Sequence, residues 1–277
     1  MVIEDVPRRC IMVHVEKNQM NRIAHLFEGI QDSMVIACLQ GYNGDAYVYS
    51  WDGPRAALIV SAEYSFWGGD PESDDAGYLT EHFFEVAGTD SSTAIFSENR
   101  PGWEQTLLGC SRNSPQSIQR FGIVQKDYDF DLTRLQEFAS VLPEGYLLQM
   151  FDEDLYHQAM AEKWSVEFCE GFASAEDFLT RGMGVAAVKD GKLAGGISTQ
   201  TVYDGGAELQ LAVHPDHRQQ GLASACAAAM ILKCTEKNIR PHWDAANEIS
   251  LKIALKMGYE YKGKYTAVLL KDKETNL

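Results

Sequence analysis

The chain has 277 residues, 45% hydrophobic and 23% charged, which is enough apolar content for a packed core and about the length of two modest domains. Its formal net charge is −16 and its pI is near 4.8, a surface that repels phosphate backbones and anionic lipid and favours cationic small molecules over nucleic acid or membrane as partners. No apolar run reaches the roughly 18 residues of a spanning helix and the opening MVIEDVPRRC has no signal-peptide core, so a soluble cytoplasmic protein is expected.

Residues 1–144 carry 10 Lys and Arg against 22 Asp and Glu, and residues 145–277 carry 14 against 18, so most of the negative charge lies in the first half. The pattern there predicts a helix over 21–29 and strands near 47–49, 57–62, 94–96 and 117–124, a mixed α/β domain. Between Glu63 and Glu104 ten acids stand against one base, Arg100, with a Gly68-Gly69-Asp70-Pro71 turn and the aromatics Trp67, Tyr78, Phe83, Phe84 and Trp103. Such a stretch reads as a solvated face over core aromatics, or as a surface that collects a polyamine or amino-sugar.

The second half gives a clearer order. Helices are predicted over 152–162 and 174–181, with Ser174 and Asp177 as an N-cap box. Strands over 185–189 and 193–203 are joined by Asp190-Gly191, a strong hairpin signal. Asp204-Gly205-Gly206 turns into a strand over 208–213, followed by an Ala-rich helix over 219–237, a short extended piece over 239–244, a helix over 248–257 and a strand over 259–270. No internal repeat stands out. The six cysteines (Cys10, Cys38, Cys110, Cys169, Cys226 and Cys234) form no C-x-x-C pair and have no His at zinc-site spacing, so reduced, buried thiols are expected. His14, His25, His82, His157 and His242 show no metal-ligand spacing either, and no metal site is predicted.

The chemistry concentrates in Glu208-Leu-Gln-Leu-Ala-Val213-His-Pro215-Asp-His-Arg218-Gln-Gln-Gly221-Leu-Ala223. A strand, a polar turn and a helix opening through glycine present unpaired backbone N–H groups and positive partial charge, a cradle for a pyrophosphate. It is neither a Walker loop nor a dinucleotide G-x-G-x-x-G.

Pro215-x-x-Arg218-x-x-Gly221-x-Ala223 after an antiparallel strand resembles the acetyl-CoA motif of the GNAT superfamily of N-acyltransferases. Asn247-x-x-Ser250 and Lys256-x-Gly258-Tyr259 resemble its second signature, and the element order from about residue 145 matches. The stretch from Trp243-Asp244 through Asn247, Ala254 and Tyr259 is similar to zwittermicin A-resistance type acetyltransferases, which carry a long extra N-terminal region and acetylate an antibiotic. The resemblance implies an α/β fold: a C-terminal GNAT domain over 145–277, with a splayed, mixed but largely antiparallel sheet flanked by helices, behind an N-terminal α/β domain over 1–144 that walls the acceptor site. It also implies acetyl-CoA as co-substrate. Leu211, Ala212 and Val213 would bond the pantetheine arm through main-chain groups. Arg218, Gln219, Gln220, Gly221, Leu222 and Ala223 would wrap the pyrophosphate, with Asn247 and Ser250 beside the cofactor.

An amine must lose a proton before it attacks a thioester, and the oxyanion needs a donor. By the same resemblance, Val213 N–H is the oxyanion donor and Glu208 a base acting through water. His214 and His217 have a suitable intrinsic pKa but sit beside the phosphate turn, which favours solvent or adenine-side contact. Many GNAT enzymes place a tyrosine acid seven residues after the asparagine; here that residue is Ala254, so Ser250, Tyr259 or water would have to substitute. With no activated nucleophile in view, direct transfer through a ternary complex to a small cationic amine is the expected reaction. Its rivals are a non-catalytic acyl-CoA-binding regulator and a protein lysine acetyltransferase. The sequence leaves the oligomeric state open, and a homodimer is one arrangement it allows.

Overall fold

The computed structural model describes residues 12–96, 102–125 and 128–273; Cys10, Glu98 and Arg100 lie outside them. In chain order the first elements are β1 (Val13–Val15), α1 (Ser33–Leu39), β2 (Asp45–Val48), β3 (Ala56–Ser61), β4 (Tyr64–Gly69), α2 (Asp74–Glu81), β5 (Ser91–Ile95), α3 (Gly102–Gly109), β6 (Gln116–Val124) and α4 (Leu132–Ser140). The rest are β7 (Tyr146–Met150), α5 (Glu153–Ala161), α6 (Ala175–Arg181), β8 (Gly184–Lys189), β9 (Lys192–Tyr203), β10 (Gly206–Val213), α7 (Leu222–Glu236), β11 (Arg240–His242), α8 (Glu248–Met257) and β12 (Glu260–Lys271). The helix predicted over 21–29 is instead two 3-10 turns, Lys17–Arg22 and Ala24–Phe27.

The described residues pack as two units. One holds residues up to and including Ile30, Asp45–Ser117 and those from Ala267 on; the other holds Gln31–Gly44 and Ile118–Thr266. The cut expected between residues 144 and 145 is therefore not the one the chain makes. The reason is apolar cover: Met34, Val35, Ala37 and Cys38 of α1 are buried against β9 and β10, and α4 lies along α7, so both belong with the second sheet.

In the second unit the strand order is β11-β10-β9-β8-β7, antiparallel throughout except for the parallel pair β10–β11. The β8–β9 hairpin turns through Asp190 and Gly191 at φ +51° and +77°, the pair of positive values that a type I′ turn requires. Alternation sorts the core. Val185, Ala187, Ile197 and Leu209 pack with Cys226, Met230 and Ile231 of α7, whereas Ala186 packs with Phe151, Phe168 and Phe178. Burial pushes the thiols of Cys226 and Cys234 up to about 12, which makes them inert packing groups.

In the first unit β1 to β4 are successively antiparallel, β4 and β5 are parallel across α2, and the end of β12 pairs with β5. Trp67, Phe83 and Trp103 of the acidic segment are fully buried core, and Asp74 and Asp75 sit in the first turn of α2. A repeat that the sequence motifs do not show is present in the element order. Strand, helical turns, three strands, helix, strand, helix, strand describes β1 to β6 and again β7 to β12. In each run the fourth and fifth strands stay in register for three pairs, Tyr64–Phe66 with Thr93–Ile95 and Gly206–Glu208 with Arg240–His242.

Beyond that point the first unit fills the space beside β4. A Cβ on Gly68 would lie 2.8 Å from the Leu26 carbonyl and 2.8 Å from the Phe27 ring, and Phe27 itself is buried. Phe27→Ala is expected to destabilise the protein by about 3–5 kcal/mol in a denaturant titration; a loss below about 1 kcal/mol would show that the ring is not a core element.

Candidate functional site

Past Glu208 the parallel ladder to β11 stops, and among the described residues no strand pairs with 209–213 on that side. His214 N–H donates to the Ala194 carbonyl at 3.0 Å, continuing a register in which Val213 faces Gly195 and Leu211 faces Ile197. Hydrogen-bonded and non-bonded pairs alternate in an antiparallel ladder, so the main-chain groups of Leu211 and Val213 point away from β9 and those of Ala212 point toward it. Of the three residues expected to meet the pantetheine arm, two therefore turn main-chain groups to the gap. Arg218 Nε already reaches the outward Val213 carbonyl at 3.3 Å.

After β10 the chain makes a 3-10 turn at Pro215–His217, where His214 Nδ1 accepts from the Asp216 N–H at 3.2 Å. Gln219 at φ +60° and Gly221 at φ +84° are both left-handed, which is why α7 starts at Leu222 and not at residue 219. Gly221 is the N-cap and has no side chain to fill the role. The first intrahelical bonds come from Ser224 and Ala225 to the Gly221 carbonyl, and the N–H groups of Leu222 and Ala223 have no side-chain cap.

The gap and the turn form one cleft of about 730 Å³. Leu211, Ala212, Val213, Arg218, Gln219, Gly221, Leu222, Ala223, Asn247 and Ser250 all line it, as do Trp164, His217, Ser224, Ile249 and Ile253. Gln220 is exposed in the turn and is not on the wall. Asn247 caps α8, its Oδ1 accepting from Ile249 and Ser250 N–H at 3.0 Å each. Ile249 is 71% exposed, an apolar side chain offered at the mouth of the cleft. His217 Nδ1 is 2.7 Å from the Tyr146 hydroxyl, and Trp164 meets His214 edge-on.

A sequence model of the family described as GNAT acetyltransferase matches residues 24–268. The chain belongs to the GNAT acetyltransferase family. An uncharacterized N-acetyltransferase of Bacillus subtilis, YdfB, is 24% identical over 227 residues, 80% of this chain and 84% of that protein. A GCN5-related N-acetyltransferase-like protein from Streptococcus suis superposes with a TM-score of 0.81 at 29% identity, covering 92% of this chain and all of the other. A tandem GNAT protein from the clavulanic acid biosynthesis pathway shares the fold at 17% identity, with a TM-score of 0.54 over 95% of this chain and 99% of its own.

In this GNAT chain the first unit's counterpart of the phosphate turn, between β4 and α2, is Asp70-Pro71-Glu72-Ser73 followed by Asp74 and Asp75. Ser73 Oγ accepts from the Ala76 N–H, Asp70 Oδ1 accepts from the Glu72 N–H, and Asp75 accepts from the Arg55 N–H. That turn closes its own donors and surrounds them with carboxylates, so an anion is repelled there.

Glu208 lies just before the ladder parts, buried, and off the wall of the cleft. Ser33 Oγ of α1 donates to its Oε2 at 2.5 Å, and the Asp244 N–H donates to its Oε1 at 3.0 Å. Asp32 caps α1 through the Met34 N–H at 2.8 Å. Asp244 binds the buried Arg120, with Nε and Nη2 each 2.6 Å from Oδ2, and accepts from the Tyr265 hydroxyl at 2.8 Å. Burial first, then the Asp32 charge, pushes Glu208 up to about 8, and burial pushes Asp32 up to about 6. None of Asp32, Ser33, Arg120, Trp164 or Tyr265 was legible as a site residue, because no motif spacing links them.

Ala254 is fully buried in the core, and the cleft side of α8 is formed by Ile249, Ser250 and Ile253. Tyr259 is buried and donates to the Pro241 carbonyl at 2.7 Å, and burial raises its pKa well above the ordinary phenol value, so it does not serve the cleft. Trp243 packs edge-on against Tyr259 as a core residue. His242, whose pKa burial and then the Arg240 charge lower, bonds through Nε2 with Tyr203 at 2.6 Å and Tyr128 at 3.0 Å.

Asp32 and Glu208 keep their protons to a higher pH in the folded chain than in the unfolded one. The stability they contribute is whole below the usual carboxylate range and is lost as pH rises, through about 6 for Asp32 and about 8 for Glu208. Melting temperatures measured from about pH 5 to about pH 9 are expected to fall more steeply for the wild type than for Glu208→Gln, whose amide carries no such linkage. Parallel curves would show that Glu208 ionises as an exposed carboxylate does.

Proposed function

We propose that this GNAT acetyltransferase transfers acetyl from acetyl-CoA to an amine of a small cationic molecule in the cytoplasm, an amino-polyol or amino-sugar antibiotic of the zwittermicin A kind or a polyamine. The observation that carries the reading is the junction at the end of β10. Outward main-chain groups of Leu211 and Val213 run directly into the uncapped start of α7, so one cleft offers strand donors to an amide-bearing arm and helix donors to a pyrophosphate. Gly221 keeps that start free of a side chain, and Asn247 Oδ1 is spent on its own helix, which leaves Nδ2 as the donor toward the ligand.

Acetyl-CoA supplies an activated acyl carbon and a thiolate leaving group. The chain supplies the rest. Val213 N–H, with Leu211 N–H beside it on the same edge, donates to the developing oxyanion as the amine nitrogen bonds to carbon and the carbon–sulfur bond breaks. In this reading Glu208 takes the proton from the acceptor ammonium through water, freeing the amine to attack, and Ser250, a hydroxyl of the cleft wall, or water protonates the leaving sulfur. A buried carboxyl shifted toward neutrality suits a base, since its conjugate acid holds the proton at working pH. The reduced thiols and the net charge of −16 support the cytoplasmic location and the cationic acceptor respectively.

Acetyl-CoA at 100 times its dissociation constant is expected to stabilise the protein by about 2.7 kcal/mol, a rise of about 2–4 °C in melting temperature. Calorimetry should count one molecule per chain, and Gly221→Val should remove the shift; no shift for the wild type would remove the cofactor site. With an accepted amine, kcat/KM should climb with pH toward a plateau above about 8. Glu208→Gln should flatten that limb and lower the rate by about 10²–10⁴-fold, whereas an unchanged profile would assign the base elsewhere.

A further inference from the structure

We infer that Arg120 is a positioning residue for the proposed base: acting through Asp244, it aims a main-chain N–H at Glu208 and answers a negative charge that would otherwise bear on it. The assignment rests on the reading of Glu208 given above and names what holds that carboxyl ready. Arg120 lies on β6, in the first half of the sequence, yet from Ile118 on that strand belongs to the second unit.

The segment after β11 is where Arg120 and Glu208 are connected. The β10–β11 ladder ends at the pair Glu208 and His242, and the chain then turns to β6 instead. Phe121 N–H donates to the Ala245 carbonyl at 3.0 Å, and Ala245 N–H donates to the Phe121 carbonyl at 3.4 Å. Beside this bridge the buried guanidinium of Arg120 holds the Asp244 carboxylate. Its Nε and Nη2 both reach Oδ2 at 2.6 Å, and the Tyr265 hydroxyl donates to the same oxygen at 2.8 Å. Three donors on one oxygen fix the side chain, and the main-chain bridge fixes the next residue. The backbone of Asp244 is thereby held where its N–H donates to Glu208 Oε1 at 3.0 Å. A buried guanidinium is costly to desolvate, which a tie serving the surface alone would not require.

Asp244 acts on Glu208 in two opposite directions. Burial and then the Asp32 charge come first in holding the proton on Glu208; the Asp244 charge adds to them, while the Asp244 N–H favours the ionised form. Arg120 separates the two effects, because it answers the charge and keeps the N–H in place. The other groups that face Glu208 are Asp32 and Ser33 from the start of α1, His242 beside it on β11 and, farther off, the hydroxyls of Tyr128, Tyr203 and Tyr259.

The test is carbon NMR of the full chain labelled at its glutamate carboxyl carbons and titrated from about pH 5 to about pH 10. The Glu208 signal is the one absent from Glu208→Gln. Arg120→Gln, which can still donate to Asp244 but carries no charge, should raise the Glu208 midpoint by about one pH unit. Arg120→Lys keeps the charge and should stay nearer to the wild type. Asp244→Asn alone should lower the midpoint, and joined to Arg120→Gln it should bring the midpoint back to the wild-type value or below. A merely structural tie would lower the melting temperature of these variants and leave the midpoint where it is. That result would overturn the assignment, as would a rise in Asp244→Asn or equal midpoints in Arg120→Gln and the double variant. The titration needs neither cofactor nor amine. Failure of acetyl-CoA to bind the wild type, or a pH limb of kcat/KM that survives in Glu208→Gln, would instead strike the reading on which the assignment rests, whatever the midpoints.

Discussion

Backbone amides cannot be left unpaired in a protein interior without cost, yet β10 turns those of Leu211 and Val213 to a side where no strand lies beside them among the described residues. The parting of β10 from β11 after Glu208 is the constraint on which the site depends. It makes a cleft out of what would be a continuous sheet, and it delivers the chain to the glycine-opened start of α7 at the end of that cleft. The cleft wall is apolar where an aliphatic arm would lie, along Trp164, Leu211, Ile249 and Ile253, and rich in N–H donors where charge would lie.

The first unit shows what happens when the same plan is not held to that use. Its fourth and fifth strands also part after three pairs, but Phe27 and the Leu26 carbonyl occupy the space beside Gly68. Its strand-to-helix turn consumes donors of its own through Asp70 and Ser73. Apolar burial and satisfied amides replace a ligand, so the element order persists while the capacity to hold an anion is gone. Part of the charge asymmetry between the halves of the chain has a structural address in this turn.

The sequence was most legible where local chemistry decides structure. The Asp190-Gly191 turn and the Ser174 cap of α6 each act within a few residues, and each is read from residue type alone. The cleft contacts followed from the same run, with Gln220 the exception because a turn must point one residue outward. What stayed hidden depends on packing between distant segments. α1 and α4 join the second unit because their apolar faces find cover there, and no local signal near residue 144 could report that. The repeat was equally invisible, since it survives in element order while the residues of its turns have diverged. The acids around Glu208 come from residues 32, 208 and 244, and only the fold makes them neighbours.

That neighbourhood sets how Glu208 can act. Burial first, then the Asp32 charge, keeps its proton on until about pH 8, so the base of the proposed function is ionised only as pH climbs toward that value or as a positive charge comes near. The Ser33 hydroxyl and the Asp244 N–H are already in place to bond the ionised form, so ionisation asks for little rearrangement. On the proposed reading, an ammonium at the acceptor site lowers the pKa that the neighbouring acids raise, and a neutral molecule of the same shape does not, so the charge of the acceptor and the readiness of the base are linked.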